Sequence, residues 1–144
     1  MTQSAAPVMS IKDVILERRI KMRRFKFEVK GPIKGGKNNM LMRRTGRHYP
    51  NPKWAAWRDK IVDGLSSSVA AAKLSIFDKP VKMSVVYTPD DLRRRDLPAM
   101  LDSIFHCMER AKLIVDDFLV KNLTWISLPK NVSASGVQIM IEEI

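Results

Sequence analysis

The chain has 144 residues, of which 45% are apolar, and it carries a formal net charge of +11. This length and composition suffice for one hydrophobic core, and the lone cysteine, Cys107, excludes a fold that depends on internal disulfides. No apolar run is long enough for a membrane span and no secretory signal is visible, so we expect one cytoplasmic domain with no membrane partner.

The N-terminal extension, residues 1–24, is expected to contain one short basic helix. Ser10, followed three positions later by Asp13, has the spacing of a capping box at a helix start. This helix is either a solvated tail or an arm that contacts DNA or a partner, and the sequence leaves both readings open. The domain proper, residues 25–144, is expected to begin with a half-buried strand, because apolar and charged residues alternate there. Its apolar face would be formed by Phe25, Phe27 and Val29.

A long basic loop is expected over residues 31–52, which are rich in glycine, proline and asparagine. Residues 1–60 carry 16 Lys and Arg against 4 Asp and Glu, whereas residues 61–144 carry 10 against 11. Such a one-sided positive field favours polyanions, because neutralising phosphates releases counterions. We therefore expect nucleic-acid binding, with general solubility, anionic membrane surfaces and ribosome-type RNA binding as alternatives. The residues assigned to DNA contact are Lys34, Lys37, Arg43, Arg44 and Arg47 of the loop, together with Arg93, Arg94 and Arg95.

Two helices and three further strands are expected after the loop. Asn51 and Pro52 suit a helix start, and apolar residues then recur at helical spacing to about residue 73. The tryptophans on this stripe are predicted to anchor the core. A strand follows, with one apolar face formed by Val81, Met83, Val85 and Tyr87.

The second helix is expected to begin at Asp96 as its N-cap, with Pro98 tolerated in the first turn. Its predicted apolar stripe consists of Leu97, Leu101, Ile104, Phe105 and Met108. Residues 123–126 and 137–141 are predicted as two closing strands. The order β, loop, α, β, α, β, β favours an α/β (α+β) domain in which two helices cover one face of a mixed sheet.

Four aspartates flank or lie within the second helix: Asp96, Asp102, Asp116 and Asp117. With the arginine run 93–95 nearby, hard oxygen ligands would lie beside phosphate-binding cations, as Mg²⁺-dependent phosphodiester cleavage requires. An N-cap aspartate and an Asp-Asp pair are also common surface features, so this alternative stays open. No Walker loop or nucleophile elbow occurs, so neither a nucleotide cofactor nor serine-type hydrolysis is expected.

The stretch Arg94-Arg95-Asp96-Leu97, followed 20 and 21 positions after its aspartate by the pair Asp116-Asp117, resembles the RusA-type Holliday-junction resolvases. The resemblance covers about residues 30–142, including the order of the elements. It implies a homodimeric α/β nuclease that binds four-way DNA junctions and makes paired nicks with Mg²⁺ or Mn²⁺. By position, Asp96 and Asp117 would be metal-binding carboxylates with Asp116 beside them, and Arg95 would lie on the DNA path.

The chain departs from the family pattern at the head of this helix. The family reads Asp-Leu-Asp-Asn, whereas this chain reads Asp96-Leu97-Pro98-Ala99, and Asp102 stands at the position of a family lysine. Because residues four apart lie on one helix face, we predict that Asp102 replaces the carboxylate missing at 98. The predicted catalytic set is then Asp96, Asp102 and Asp117, with Asp116 in support. Two alternatives remain: a junction-binding or regulatory protein that does not cut, and a basic RNA-binding or assembly protein whose aspartates are structural.

Overall fold

The computed structural model describes residues 10–12, 23–35, 40–42 and 45–144. In chain order its elements are β1 (Arg24–Lys30), β2 (Met40–Met42), β3 (His48–Pro50), α1 (Pro52–Ala71), β4 (Val81–Thr88), α2 (Leu97–Arg110), β5 (Val120–Ser127) and β6 (Gly136–Glu143). The main sheet has the strand order β1-β6-β4-β5, in which β6 is antiparallel to both neighbours and β4 and β5 are parallel. The expected α+β class with a mixed sheet and two helices is thus confirmed.

The core lies between one face of the sheet and the two helices. Along β4 the four residues predicted to form the apolar face are all buried, and β6 contributes Val137, Ile139 and Ile141. The helices add residues such as Leu65 from α1 and Met108 from α2 to the same cluster. This alternation along β4 has the period of two that a strand with one buried face requires.

Four of the five residues of the stripe predicted for α2 lie on its buried side: Ile104 and Met108 lie in the core, and Leu101 and Phe105 pack against it. Leu97 is exposed, whereas the small residues Ser103 and Cys107 are fully or almost fully buried. Ser103 Oγ accepts a hydrogen bond of 3.2 Å from Trp54 Nε1 of α1, so these small side chains mark the contact between the helices. The predicted stripe omitted Ser103, because close helix packing favours small residues and hydropathy does not distinguish a buried serine from a surface one.

The expected loop over residues 31–52 contains a short hairpin in which β2 and β3 pair antiparallel. Gly46, in the turn between them, has φ +81°, a conformation that favours glycine. The predicted loop residues Lys37, Arg43 and Arg44 lie outside the described residues, as does most of the predicted N-terminal helix.

Because β4 and β5 are parallel, α2 runs back along the sheet between them. The start of α2 therefore lies at the sheet end where β4 finishes, and its last turn lies where β5 begins. This crossover fixes the positions of the chemistry-bearing residues described below. Among the described helices, none is long and apolar enough to cross a bilayer.

Candidate nucleic-acid interface and acidic cluster

A basic groove surrounds the start of α2. Three open clefts of about 590, 320 and 420 Å³ adjoin there, and Arg95 lines all of them. We define the basic groove by the cations that line these clefts: Lys34, Lys53, Arg93, Arg94, Arg95 and Lys130. The predicted DNA-contact residues Lys34 and Arg93–Arg95 are thus brought together, although the sequence separates them by about 60 positions.

Arg95 is held in place by two aspartates of its own loop. Its Nη2 lies 2.8 Å from Asp91 Oδ2 and 3.5 Å from Asp90 Oδ1. The backbone amide of Arg93 and the guanidinium of Arg95 hold the pKa of Asp91 below its usual value. Arg95 therefore orders the loop but offers a phosphate little unshared charge.

Other groove cations are exposed and carry unshared charge. Within the described part of the chain, Lys34, Lys53, Arg94 and Lys130 form no ion pair, and each side chain is exposed to solvent. These four are the groove residues best placed to neutralise phosphates. The predicted contact residue Arg47 is also exposed, but it lies before β3 and does not line the three clefts.

Trp54 fixes the position of Lys34. Its buried indole donates hydrogen bonds of 3.2 Å to the Lys34 carbonyl and to Ser103 Oγ. One residue further on, an added Cβ on Gly35 would lie 3.0 Å from Ala99 Cβ, so the backbone packs directly on the first turn of α2. The prediction that Trp54 anchors the core is confirmed, and its ring is not available to stack on a base.

An acidic cluster lies at the opposite end of α2. Carboxylate oxygens of Glu109, Asp116 and Asp117 all lie within 4.8 Å of one another. Two backbone amides also point at this cluster: Asp117 N donates to Glu109 Oε1 at 3.0 Å, and Phe118 N donates to Asp116 Oδ1 at 2.9 Å. The cluster therefore caps the short 3₁₀ turn before β5 while keeping three oxygen ligands together.

The pKa values of the two aspartates in the cluster are shifted in opposite directions. The Phe118 amide and a hydrogen bond with Asp117 lower the pKa of Asp116. The same hydrogen bond, burial and the charge of Glu109 raise the pKa of Asp117. Asp117 thus gives up its proton less readily than Asp116, because ionising it breaks the hydrogen bond between the two side chains and adds a like charge to the cluster.

The other two predicted ligands lie away from the acidic cluster within one chain. Asp96 caps the start of α2, accepting from the Ala99 amide at 3.4 Å, and it lines the basic groove beside Arg94. The 13 residues from Asp96 to Glu109 correspond to about 20 Å along the helix. Asp102 lies between them, on the same helix face as Glu109 and about 10 Å away along the axis.

Glu109 was not predicted as a site residue. The sequence signal for it was its seven-residue spacing from Asp102, which places both on one face of α2, but nothing local indicated that the chain turns back to bring Asp116 beside it. The structure therefore has two separate features: a basic groove that is lined by the carboxylates of Asp91 and Asp96, and an acidic cluster at the other end of α2.

Comparisons with known proteins name no family for this chain. A scan against protein families finds no match, and a search of the curated proteins finds none either. The groove and the acidic cluster are therefore the features from which a function can be inferred.

Proposed function

We propose that the protein is a DNA endonuclease that binds branched DNA, four-way junctions in particular, and nicks it with Mg²⁺ or Mn²⁺. The observation that carries this proposal is the groove at the start of α2, where Asp96 shares a cleft with Arg94 and Arg95. Cations that attract a phosphate would bring it beside a carboxylate. The resemblance of this stretch to the RusA-type resolvases supports the same assignment, and a buried thiol is compatible with the cytoplasm.

The acidic cluster has the donor chemistry of a hard divalent cation. Its three carboxylates present oxygen ligands, which Mg²⁺ and Mn²⁺ prefer. The hydrogen bond with Asp116, burial and the charge of Glu109 raise the pKa of Asp117, and a cation would offset the repulsion between these carboxylates. Glu109, Asp116 and Asp117 are the residues that would hold it. A bound ion supplies polarisation of the phosphoryl oxygen and a more acidic water.

A second chain is needed if Asp96 and Asp117 serve one phosphate, because α2 holds them at opposite ends. A two-fold homodimer provides two equivalent composite sites, each with Asp96 of one chain and Asp117 of the other. Two equivalent sites also match the symmetric pair of nicks that resolving a junction requires. We therefore propose that the active species is a homodimer.

Mixing two inactive variants tests this arrangement. Asp96→Asn and Asp117→Asn are each expected to abolish nicking of a synthetic four-way junction while keeping or raising affinity, since each removes negative charge near phosphate. In a mixed dimer with composite sites, one site loses both aspartates and the other keeps both. Random mixing should therefore restore about a quarter of the wild-type sites. If both residues acted within one chain, mixing would restore nothing.

Asp102→Asn separates the relocated-ligand hypothesis from the cluster. Loss of nicking in this variant would show that Asp102 contributes, as the sequence pattern predicts. If Asp102→Asn nicks junctions as fast as the wild type, the catalytic carboxylates are those of the acidic cluster and Asp96, without Asp102. Glu109→Gln is the matched comparison, because Glu109 lies on the same face of α2 and within the cluster.

A non-catalytic junction-binding protein is the second candidate, favoured by the capping roles of Asp96 and Asp116. The assay that decides compares a four-way junction, duplex DNA and single-stranded RNA in gel shifts, then adds Mg²⁺ or Mn²⁺. Junction binding without nicking in either metal would establish this second candidate. Preference for RNA would instead point to a basic RNA-binding protein with structural aspartates.

A further inference from the structure

The two edges of the main sheet differ in chemistry. Strand β1, at one edge, carries four charged residues among its 7, whereas β5, at the other, carries only Lys121 among its 8. Charged side chains protect an exposed edge from pairing with another strand. The β5 edge lacks this protection.

Exposed apolar residues concentrate along β5. Of the eleven large apolar side chains exposed in the described part of the chain, seven lie on this strand or at its two ends. They are Val115 and Phe118 at its start, Leu123 and Ile126 within it, and Leu128, Leu92 and Leu97 at its end, the last three sharing one cleft with Ser127. Such a concentration of exposed apolar side chains along one sheet edge, which we call the apolar patch, is typical of an interaction surface.

The patch covers both faces of the strand. Leu123 is in register with the buried Met83, so it projects on the helix-covered side, where it is 39% exposed. Ile126 is in register with Val86 and projects on the opposite side, where it is 50% exposed. A partner that continued the sheet would cover both, because its own strand presents side chains to both faces.

The two ends of β5 carry opposite charge. The acidic cluster lies just before its first residue. At its end, Arg93, Arg95 and Lys130 line a cleft with Ser127 and Asp91; the two arginines pair with Asp90 and Asp91, so the net positive charge of this cleft comes chiefly from Lys130. If two copies of β5 pair antiparallel, the start of each lies beside the end of the other. The acidic cluster of one chain then meets the basic cleft of the other, twice by symmetry.

We propose that the β5 edge is the docking surface for a second copy of this chain, paired antiparallel across a two-fold axis to give a continuous eight-stranded sheet. With the axis near Thr124, Lys121 lies opposite the region of Ser127, and no like charges face each other. The inference rests on the homodimer of the proposed function and names the surface that forms it.

Sedimentation of matched lysine variants tests the surface. Without DNA, the wild type is expected to sediment at twice the 16.5 kDa chain mass. Ile126→Lys places a charge in the patch and should sediment as a monomer. Ile144→Lys makes the same change at a 63% exposed residue off β5 and should remain dimeric. Thermal melts of both variants establish that each is folded.

Cysteine cross-linking tests the pairing directly. Single cysteines introduced in turn at 122–126 should form intermolecular disulfides only near the middle of the strand, while Lys26→Cys on β1 should not. The native Cys107 is buried and does not compete. A monomeric wild type, a dimer unaffected by Ile126→Lys, or cross-links at Lys26→Cys instead of mid-β5 would each overturn the proposal. A dimer that forms through β5 but cuts no junction would support this docking surface and contradict the proposed nuclease function. A monomer that cuts junctions would support the nuclease function and contradict the docking surface.

Discussion

Replacing Lys34 and Arg94 with glutamine tests whether the basic groove is the path of a DNA phosphate backbone. Both side chains are exposed, line clefts that share Arg95, and form no ion pair within the described residues. Each can therefore neutralise one phosphate without first breaking an internal contact. Glutamine keeps most of the side-chain length and polarity, so charge is the main property removed.

The expected effect follows from counterion release. Each phosphate contact contributes about 0.9 to the slope of log affinity against log salt concentration. Between about 50 and 200 mM salt, one contact then changes affinity about 3.5-fold and two contacts about 12-fold. The double variant should bind more weakly than the wild type at low salt. The factor by which its affinity falls between about 50 and 200 mM salt should be about 12 times smaller than the corresponding factor for the wild type.

Fluorescence anisotropy with a labelled four-way junction, without divalent metal, measures these slopes. Lys79→Gln is the matched control, because Lys79 is exposed and precedes β4, at the sheet end away from the groove. Its slope should equal that of the wild type. Arg95→Gln should change the slope less than Arg94→Gln, because Asp90 and Asp91 already neutralise Arg95. A double variant with the slope of the control would show that DNA does not follow this groove.

Three further predictions concern stability and reactivity. Gly136→Ala should lower the free energy of unfolding in urea by about 2–4 kcal/mol, because φ is +132° and an added Cβ would collide with a β1 carbonyl. Gly64→Ala, where an added Cβ on α1 meets open space, should raise this free energy by about 0.5–1 kcal/mol. Two variants with the same free energy of unfolding would contradict this reasoning. Asp117→Asn should raise the metal-free melting temperature at neutral pH by on the order of 2 °C, because ionised Asp117 has lost its hydrogen bond with Asp116 and lies beside the charge of Glu109. This gain should shrink as pH falls through the raised pKa, where the wild-type carboxyl is protonated, and a lower melting temperature at neutral pH would refute it. Burial raises the pKa of Cys107 to about 11, so at pH 8 only about one thiol in a thousand is ionised, and iodoacetamide should label the protein only after unfolding; rapid labelling of the native protein would argue otherwise.

The elements that local sequence determines were predicted well. The Asn51 side chain accepts the Lys53 amide and Pro52 begins α1, because capping depends only on neighbouring residues. The alternation of β4 appears directly as buried and exposed side chains. In both cases the signal and the structure span the same few residues.

The arrangement of the site could not be read in this way. The interval between Asp96 and Asp117 does not show whether the strands before and after α2 are parallel, and only that topology fixes the two residues at opposite ends of a rigid helix. Glu109 enters the cluster because the chain folds back after α2, which no local pattern encodes. The groove likewise unites loops from distant parts of the chain.

Arg23 and Ile144 are held together at one end of the sheet, and their position determines where a label can be attached without covering the groove. Arg23 Nε lies 2.8 Å from Glu143 Oε1, its Nη1 donates to the Ser75 carbonyl, and Ile144 N donates to the Pro80 carbonyl. Position 23 and the last residue therefore lie together at the sheet end where β4 begins, remote from the groove. A fluorophore, affinity tag or biotin attached at Ile144 would leave the groove facing solution. Surface-immobilised protein could then capture junctions from a flowing sample, with every molecule presenting its cations to the DNA in the same orientation.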